Sequence, residues 1–229
     1  MPYGSKSAAP IRCLAAAFAL VLSACAPIQR DGLRLAAEVR RPERSVVLLF
    51  ADGLNHATVR DMLNAGELPH IRRIFVEGGV TVEHAITCLP SVTYPVTVSL
   101  LTGMFPGHHG VVGNQWFDRR ALRFQNYSYI STFQSADGDY RPTTIFEFLA
   151  DRLTVNLQLH TRRGVTQTFE DMIPNAVDYF IGRYYRLDKR TVDQLERVIR
   201  FANNVGRWPD LIAAYFPAAD QTGHAFGPD

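Results

Sequence analysis

The chain has 229 residues, enough for one domain of ordinary size or for part of a larger one, and 47% hydrophobic with 20% charged residues is a globular composition. Its formal net charge is +2, but two of the 24 basic residues, Lys6 and Arg12, lie in a leader that we expect to be removed, which leaves 22 basic and 22 acidic residues. Binding to a nucleic-acid duplex is disfavoured, because no basic cluster is present to displace the counterions of the phosphates.

Residues 1–24 are expected to be a signal peptide. Two cations and no acid accompany an apolar run at 13–22, which is shorter than the roughly 20 residues that span a hydrocarbon core. The run is followed by Leu-Ser-Ala-Cys, which ends at Cys25 and resembles a bacterial lipobox. We therefore expect lipidation of Cys25, a tether over 25–44 and an exported, membrane-anchored protein, periplasmic or in the outer membrane of a Gram-negative host. A transmembrane anchor and a plain secretory signal are the alternatives.

Strands and helices alternate from residue 45 onward. Short apolar or alternating runs predict strands at 45–50, 80–87, 110–112, 155–160 and 211–216. Amphipathic stretches predict helices at 57–65, 69–77, 94–101, 144–153 and 188–203, and residues 118–142 are expected to be irregular. This alternation predicts an α/β fold with a mainly parallel sheet sandwiched by helices. The first and last strands are continuous apolar runs and are expected to be buried on both faces, and the lone Cys88 is expected to be a buried thiol.

Four polar residues fall where open α/β sheets bind ligands, beyond the carboxyl ends of their strands. Asp52 follows the first strand, Thr93 is predicted to be the N-cap of a helix, and Asp220 and His224 follow the last strand on a glycine-bearing loop. A carboxylate and an imidazole four residues apart suit zinc. Judged by spacing alone, Asp220 and His224 could instead be a capping residue and part of a solvated loop that binds no metal.

A longer pattern strengthens the functional interpretation. Pro-Ser-Val-Thr-Tyr-Pro at 90–95 continues through Thr-Gly at 102–103 and Pro-Gly-His-His-Gly at 106–110 to Gly113-Asn114. With Asp-Gly after the first strand and the Asp220 segment, it resembles the type I phosphodiesterase/nucleotide pyrophosphatase branch of the alkaline phosphatase superfamily. The resemblance covers about residues 45–229, with 118–205 only loosely constrained.

The resemblance implies a metal-dependent hydrolase of phosphodiester or pyrophosphate bonds with two divalent ions, zinc by preference. Asp52 and Thr93 would bind one metal and Asp220 with His224 the other, while Thr93 would be the nucleophile and Asn114 would hold a phosphoryl oxygen. Metal coordination and a helix N-terminus both favour a threonine alkoxide, which agrees with that role.

Two features of the motif bear on the subfamily. Cys88 precedes Pro-Ser as in the sulfatase signature, but the arginine of that signature is missing and the position nine before Thr102 is Thr93, which disfavours a sulfatase. Val96 stands where the phosphodiesterase branch commonly has asparagine, so the subfamily stays open.

Relatives also carry a consecutive Asp-His pair and a further histidine as metal ligands, and no Asp-His dipeptide occurs in this chain. We therefore expect residues 45–229 to be the amino-terminal part of a longer catalytic domain that is apparently truncated at its carboxyl end. By itself it should be inactive and poorly stable, because the strand at 211–216 would lack sheet neighbours and leave an exposed apolar edge.

The substrate is expected to be a small phosphorylated molecule, with a nucleotide as one candidate. Tyr94 and Tyr215 occupy places where relatives present aromatic walls to a base, although both could equally be core residues. His108 and His109 are expected to cap a loop, and no role is assigned to the remaining histidines, namely His56, His70, His84 and His160. A phosphonate hydrolase of the phosphonoacetate type and a non-catalytic surface lipoprotein are the other functions left open.

Overall fold

The computed structural model describes residues 44–83, 85–129, 132 and 135–227. The leader, Cys25 and the tether lie outside these residues, so the export and lipidation expectations stay predictions. Within the described part of the chain, no helix combines the length and the apolarity that crossing a membrane requires.

A four-stranded sheet is the centre of the fold. Its strands are β1 (Val46–Ala51), β4 (Thr154–Leu157), β5 (Gln167–Phe169) and β6 (Leu211–Phe216), in the order β1-β6-β4-β5. Every pairing in this sheet is parallel. Strands β2 (Gln115–Asp118) and β3 (Arg123–Asn126) form a separate antiparallel pair.

Helices lie between β1 and β4 and between β5 and β6, whereas β4 and β5 are joined by an irregular segment. In chain order they are α1 (His56–Asn64), α2 (Pro69–Ile71), which continues as a π-helix over Arg72–Glu77, α3 (Thr93–Thr102), α4 (Pro106–His109), α5 (Ile145–Phe148), α6 (Met172–Phe180), α7 (Tyr185–Val205) and α8 (Ala218–Phe226). A 3₁₀ turn lies at Ser135–Gly138. The predicted α/β class with a mainly parallel sheet is confirmed.

Strand β6 divides the core into two layers, because successive side chains of a strand point to opposite faces. Ile212 and Ala214 pack with Val155, Leu157 and Val198 on the α7 side. On the opposite face, the alternate residues of β6 pack with Leu101 of α3, Phe146 of α5 and Leu159. The sheet is therefore covered by helices on both faces at β6, and Cys88 is buried as expected.

Strand β1 differs from its prediction. It was expected to be buried on both faces, yet it is the edge of the sheet, with Val46 58% and Leu49 44% exposed. The expectation that the last strand would lack its neighbours is also wrong, since β6 pairs with β1 on one side and β4 on the other. Apolar content alone cannot distinguish a central strand from an edge strand.

Two predicted strands are not formed. Residues 80–83 and 85–87 have no ladder, and Val80 and Ile86 are almost fully exposed, because no strand lies beside them among the described residues. The strand predicted at 110–112 is also absent. Gly110 ends α4 with a left-handed backbone conformation, and Val111 after it is buried in a loop.

Other elements were missed or were misplaced at their ends. The stretch 118–142 contains β3 and the 3₁₀ turn rather than being wholly irregular, and β5 and α6 were not predicted. The helix predicted at 144–153 ends at Phe148. These elements are short, so their periodicity is weak.

Candidate active site

The carboxyl ends of β1 and β6 place Asp52 and Asp220 side by side. Asp52 N–H donates to the carbonyl of Phe216, and Asp220 N–H donates to the carbonyl of Asp52 at 3.2 Å. Between them Gly53 has φ +67°, and a Cβ there would lie 2.4 Å from the Cα of Asp220. The Asp-Gly after the first strand is therefore a steric requirement of this approach.

Thr93 lies at the start of α3 and points to Asp52. Its Oγ1 donates to Asp52 Oδ2 at 3.2 Å. The predicted N-cap role is wrong by one position, because Val92 is the N-cap and Thr93 is the first helical residue. Pro95 in the first turn and Gly103 at the end, with φ +67°, match the prediction. The Thr93 hydroxyl therefore points into the site and does not cap α3.

The side chain of Asn114 caps the N-terminus of α3. Its Oδ1 accepts from the backbone N–H of Tyr94 at 3.0 Å, and its carbonyl accepts from the N–H of Tyr127 in the segment after β3. Because Oδ1 is held by the helix, Nδ2 is the end of the amide that is left to donate to a ligand. It has no partner among the described residues, which agrees with the expected contact to a phosphoryl oxygen.

Tyr94 and Tyr215 are both buried and both line the cavity that contains Thr93, whose volume is about 540 Å³. The hydroxyl of Tyr94 donates to the carbonyl of Tyr127 at 3.0 Å. The hydroxyl of Tyr215 donates to Asp52 Oδ2 at 2.7 Å, and burial together with that carboxylate raises the pKa of Tyr215. The two rings therefore act as core residues and as cavity wall at once, and Tyr215 also orients Asp52.

Asp220 and His224 lie four residues apart on α8, a helix rather than the predicted loop. His224 Nε2 is 3.5 Å from Asp220 Oδ1, since residues at this spacing share one helix face. Burial and the nearby charge of Asp52 raise the pKa of Asp220. A cation beside Asp220 would offset this effect of the Asp52 charge.

The donor atoms fit divalent cations in kind. Asp52 with Thr93 offers a carboxylate and a hydroxyl, and Asp220 with His224 offers a carboxylate and an imidazole, a set typical of zinc. The number of donor atoms is too small for a complete metal site, because no group of three His, Cys, Asp or Glu side chains with metal-site geometry occurs among the described residues. Each pair thus offers two donor atoms.

His160 is a cavity residue that we did not assign from the sequence. It follows β4, its ring stacks on Tyr94 at 5.8 Å between centroids, and it meets Tyr215 edge-on at 5.2 Å. Burial lowers its pKa to about 4, so it is neutral at physiological pH. Its position beyond the carboxyl end of a parallel strand was the only sequence signal that could have found it.

The pair of Ser99 and His109 is a structural contact. Ser99 Oγ lies 3.0 Å from His109 Nε2, but His109 Nδ1 accepts from the N–H of Val111. The proton of the neutral ring is therefore on Nε2, so this ring cannot act as a base toward Ser99. His109 is buried at the end of α4, a short helix where a loop was expected.

Comparison with known proteins identifies the family. The model of the type I phosphodiesterase/nucleotide pyrophosphatase family matches residues 46–229, which is most of the chain. The chain belongs to this family. Its fold is alkaline-phosphatase-like: murine ectonucleotide pyrophosphatase/phosphodiesterase 5 superposes with a TM-score of 0.61 at 20% identity, covering 81% of this chain and 46% of that one.

Family relatives resemble the chain over a limited part of their length. An uncharacterised pyrophosphatase/phosphodiesterase of Schizosaccharomyces pombe is 26% identical over 82% of this chain and 36% of its own. Human bis(5'-adenosyl)-triphosphatase is 26% identical over 74% of this chain and 35% of its own. Phosphonoacetate hydrolase of Sinorhizobium meliloti shares the fold, with a TM-score of 0.53 at 16% identity over 77% of this chain and 47% of its own. The chain thus spans about a third of these curated relatives and just under half of the solved structures.

Proposed function

We propose that this family member is a metal-dependent hydrolase of phosphodiester or pyrophosphate bonds that uses Thr93 as its nucleophile. The observation that carries the proposal is the Thr93 hydroxyl at the first position of α3, 3.2 Å from the Asp52 carboxylate and open to a cavity of about 540 Å³. Family membership supports the reaction class. The helix N-terminus favours negative charge on the attacking oxygen.

The reaction would proceed in two displacements at phosphorus. Thr93 Oγ1 forms a bond to phosphorus while the bond to the leaving oxygen breaks, and the Thr93 proton ends on the departing group. Water then attacks the phosphothreonine, which breaks the bond to Oγ1 and returns a proton to it. Asn114 Nδ2 donates to a phosphoryl oxygen, and Tyr215 keeps the Asp52 carboxylate turned toward Thr93 in both displacements.

Two divalent cations belong to the proposal, and we assign zinc from the donor chemistry. Asp52 and Thr93 would hold one and Asp220 and His224 the other, each completed by further ligands. When bound, such ions stabilise the charge of the attacking and leaving oxygens. Since each described pair supplies two donors only, we propose that the 229-residue chain by itself binds zinc weakly and has no measurable turnover.

A nucleotide is the substrate class that the relatives support. One is a bis(5'-adenosyl)-triphosphatase, and an inactive threonine-to-alanine variant of murine ectonucleotide pyrophosphatase/phosphodiesterase 5 is known in complex with AMP. The aromatic lining of the cavity agrees with stacking on a base.

Replacement of the nucleophile tests the mechanism. In the zinc-loaded protein that carries this domain, Thr93→Ala should lower kcat on a nitrophenyl phosphodiester by at least about a thousandfold. Thr102→Ala, at the other end of the same helix, serves as the matched control and should stay within about threefold, because its hydroxyl contacts only the nearby backbone, the carbonyl of Val98 and the N–H of Met104. A Thr93→Ala variant with full activity would reject the mechanism.

Substrate choice separates the alternatives. Turnover of the nitrophenyl diester without turnover of phosphonoacetate supports the phosphodiesterase, and the reverse supports the phosphonate hydrolase whose fold this chain shares. Neither activity, with no zinc retained after dialysis, supports a non-catalytic lipoprotein.

We also propose that the protein is exported and held at the membrane by lipid on Cys25. The domain at 45–229 would then lie in the periplasm or at the outer membrane. The proposal depends on the charged leader and the apolar run at 13–22. Mass spectrometry of the mature N-terminus tests it, and an intact leader or cleavage away from Cys25 would contradict it.

A further inference from the structure

A directed chain of hydrogen bonds runs through the wall of the cavity. Arg190 Nη1 donates to Asn175 Oδ1 at 2.8 Å, and Asn175 Nδ2 donates to Gln158 Oε1 at 2.7 Å. Gln158 Nε2 donates to Gln194 Oε1 at 2.9 Å, and Gln194 Nε2 donates to Asp171 Oδ2 at 2.8 Å. The chain thus links the end of β4 with α6 and α7.

The two ends of this chain determine the orientation of every amide in it. Arginine has donors only and a carboxylate has acceptors only, so each amide between them must present oxygen toward Arg190 and nitrogen toward Asp171. Flipping any one of the three would place two donors or two acceptors together. Gln158 and Asn175 line the cavity, and the other three members lie outside its lining.

The backbone at Gln158 is held in an unusual conformation. Its φ is +65°, a left-handed value that costs free energy in a residue other than glycine. Asn156 closes the turn through Oδ1 and Nδ2 to the N–H and carbonyl of Leu159, and Gln158 N–H donates to the carbonyl of Phe169. These contacts fix the Gln158 amide on the cavity wall.

Each of the two cavity amides keeps spare hydrogen-bonding capacity. In Gln158 the described contacts use one of the two Nε2 protons and one of the two Oε1 lone pairs. One donor and one acceptor of this amide therefore remain for a ligand, and these are the groups with which glutamine and asparagine pair with the amino group and ring nitrogen of adenine.

The rest of the lining suits an uncharged aromatic group. Asn175 and Tyr179 lie four residues apart on α6 and both face the cavity, so an amide and an aromatic ring share one helix face. Among the described residues that line the cavity, none is a lysine or an arginine. Its carboxylate, Glu170, is paired with Arg162.

We infer that Gln158 and Asn175 are specificity residues, whose amides recognise the donor–acceptor edge of a nucleobase, adenine in the first place, in the cavity beside Thr93. The inference rests on the proposed function in that the cavity is the one that receives the phosphate ester. It goes beyond that function because it assigns the choice of base to two neutral side chains, oriented by an arginine and a carboxylate that lie outside the cavity.

Ligand binding tests the inference without turnover. Isothermal titration of the zinc-loaded protein that carries this domain compares AMP with ribose 5-phosphate and with the purine riboside 5'-phosphate that lacks the amino group. AMP should bind the unmodified protein roughly tenfold more tightly than either. Gln158→Met and Asn175→Leu should remove the preference for AMP over the purine riboside 5'-phosphate and leave the affinity for ribose 5-phosphate within twofold.

Gln194→Met is the matched control, because it breaks the same hydrogen-bonded chain outside the cavity and keeps both cavity amides. It should retain most of the AMP preference. Equal binding of AMP and ribose 5-phosphate by the unmodified protein, or an equal loss in Gln194→Met and Gln158→Met, would overturn the inference. An AMP preference without any diester turnover would overturn the proposed function and leave the base recognition intact. Diester turnover without the AMP preference would overturn the base recognition and leave the proposed function intact.

Discussion

At the scale of single residues, the site depends on close approaches that only certain side chains permit. Gly53 lets the chain after β1 lie against Asp220, and Tyr215 and Thr93 both donate to the same oxygen of Asp52. The aspartates, Thr93 and Asn114 were predicted from motif order. His160 was not, because its partners Tyr94 and Tyr215 are distant in sequence.

Gly53→Ala should destabilise the protein and disrupt the site. Its Cβ would lie 2.4 Å from the Cα of Asp220, a contact that backbone atoms can relieve only by moving the carboxylate. Urea denaturation should show a loss of more than about 2 kcal/mol. Gly66→Ala is the control, since Gly66 has a similar φ of +77° and nothing within 4 Å, so that its smaller loss measures backbone strain alone.

Stability should fall on acidification through His160. Burial lowers its pKa to about 4 in the folded state, below the unfolded value near 6.5, so the unfolded chain binds more protons between these two pH values. The free energy of unfolding should therefore decrease from pH 7 to pH 5, by at most about 2 kcal/mol from this residue.

His160→Phe should reduce that decrease when unfolding in urea is measured at the two pH values. His109, whose pKa is also lowered by burial, contributes in the same direction and stays in both proteins. Exposed His108→Gln is the control. An unchanged pH dependence in His160→Phe would contradict the assignment.

At the scale of elements, α5 begins where a helix was predicted but ends earlier than predicted. Thr144, the first residue of the predicted helix, is the N-cap of α5 in a capping box, in which its Oγ1 accepts from Glu147 N–H and its own N–H donates to Glu147. Arg163 donates to both oxygens of Glu147, which lowers the pKa of that carboxyl group. Local side-chain patterns such as this capping box can be recognised in the sequence, whereas the residue at which α5 ends depends on packing.

Thr144→Ala should cost about 1 to 2 kcal/mol of unfolding free energy. Beyond the lost cap, the carbonyl of Arg163 would lose the hydroxyl that donates to it at 2.8 Å in a fully buried position. Thr144→Ser keeps both contacts and should remain close to the original stability. Chemical denaturation of the three proteins side by side checks this, and equal losses in both variants would show that the methyl group, not the cap, matters.

At the scale of the whole molecule, the open edge of the sheet is β1. Val46 N–H and Asp52 N–H donate toward β6, so the alternate residues Val47, Leu49 and Ala51 turn their backbone groups to the other side. No strand covers that side among the described residues. The exposed apolar edge therefore lies at β1, one of the two edge strands of the sheet, and not at β6, where it was expected.

The isolated 229-residue chain should therefore self-associate through β1. Light scattering should show a mean mass that rises with concentration, and Val47→Lys should suppress the rise, because a charge on an edge strand opposes pairing. Val192→Lys introduces the same charge on α7, where Val192 is also exposed, and should have little effect. Equal suppression by both variants would indicate a charge effect unrelated to the edge.

Sequence by itself determined the family, the parallel sheet and the order of the motif residues, because these depend on local periodicity, caps and short spacings. Tertiary structure decided that β1 is an edge and that Asp220 lies on a helix. It also decided that His160, Gln158 and Asn175 share a cavity with Thr93. Such relations join residues far apart in the chain, as the hydrogen bond between Tyr215 and Asp52 does across 163 positions, and only packing brings them together.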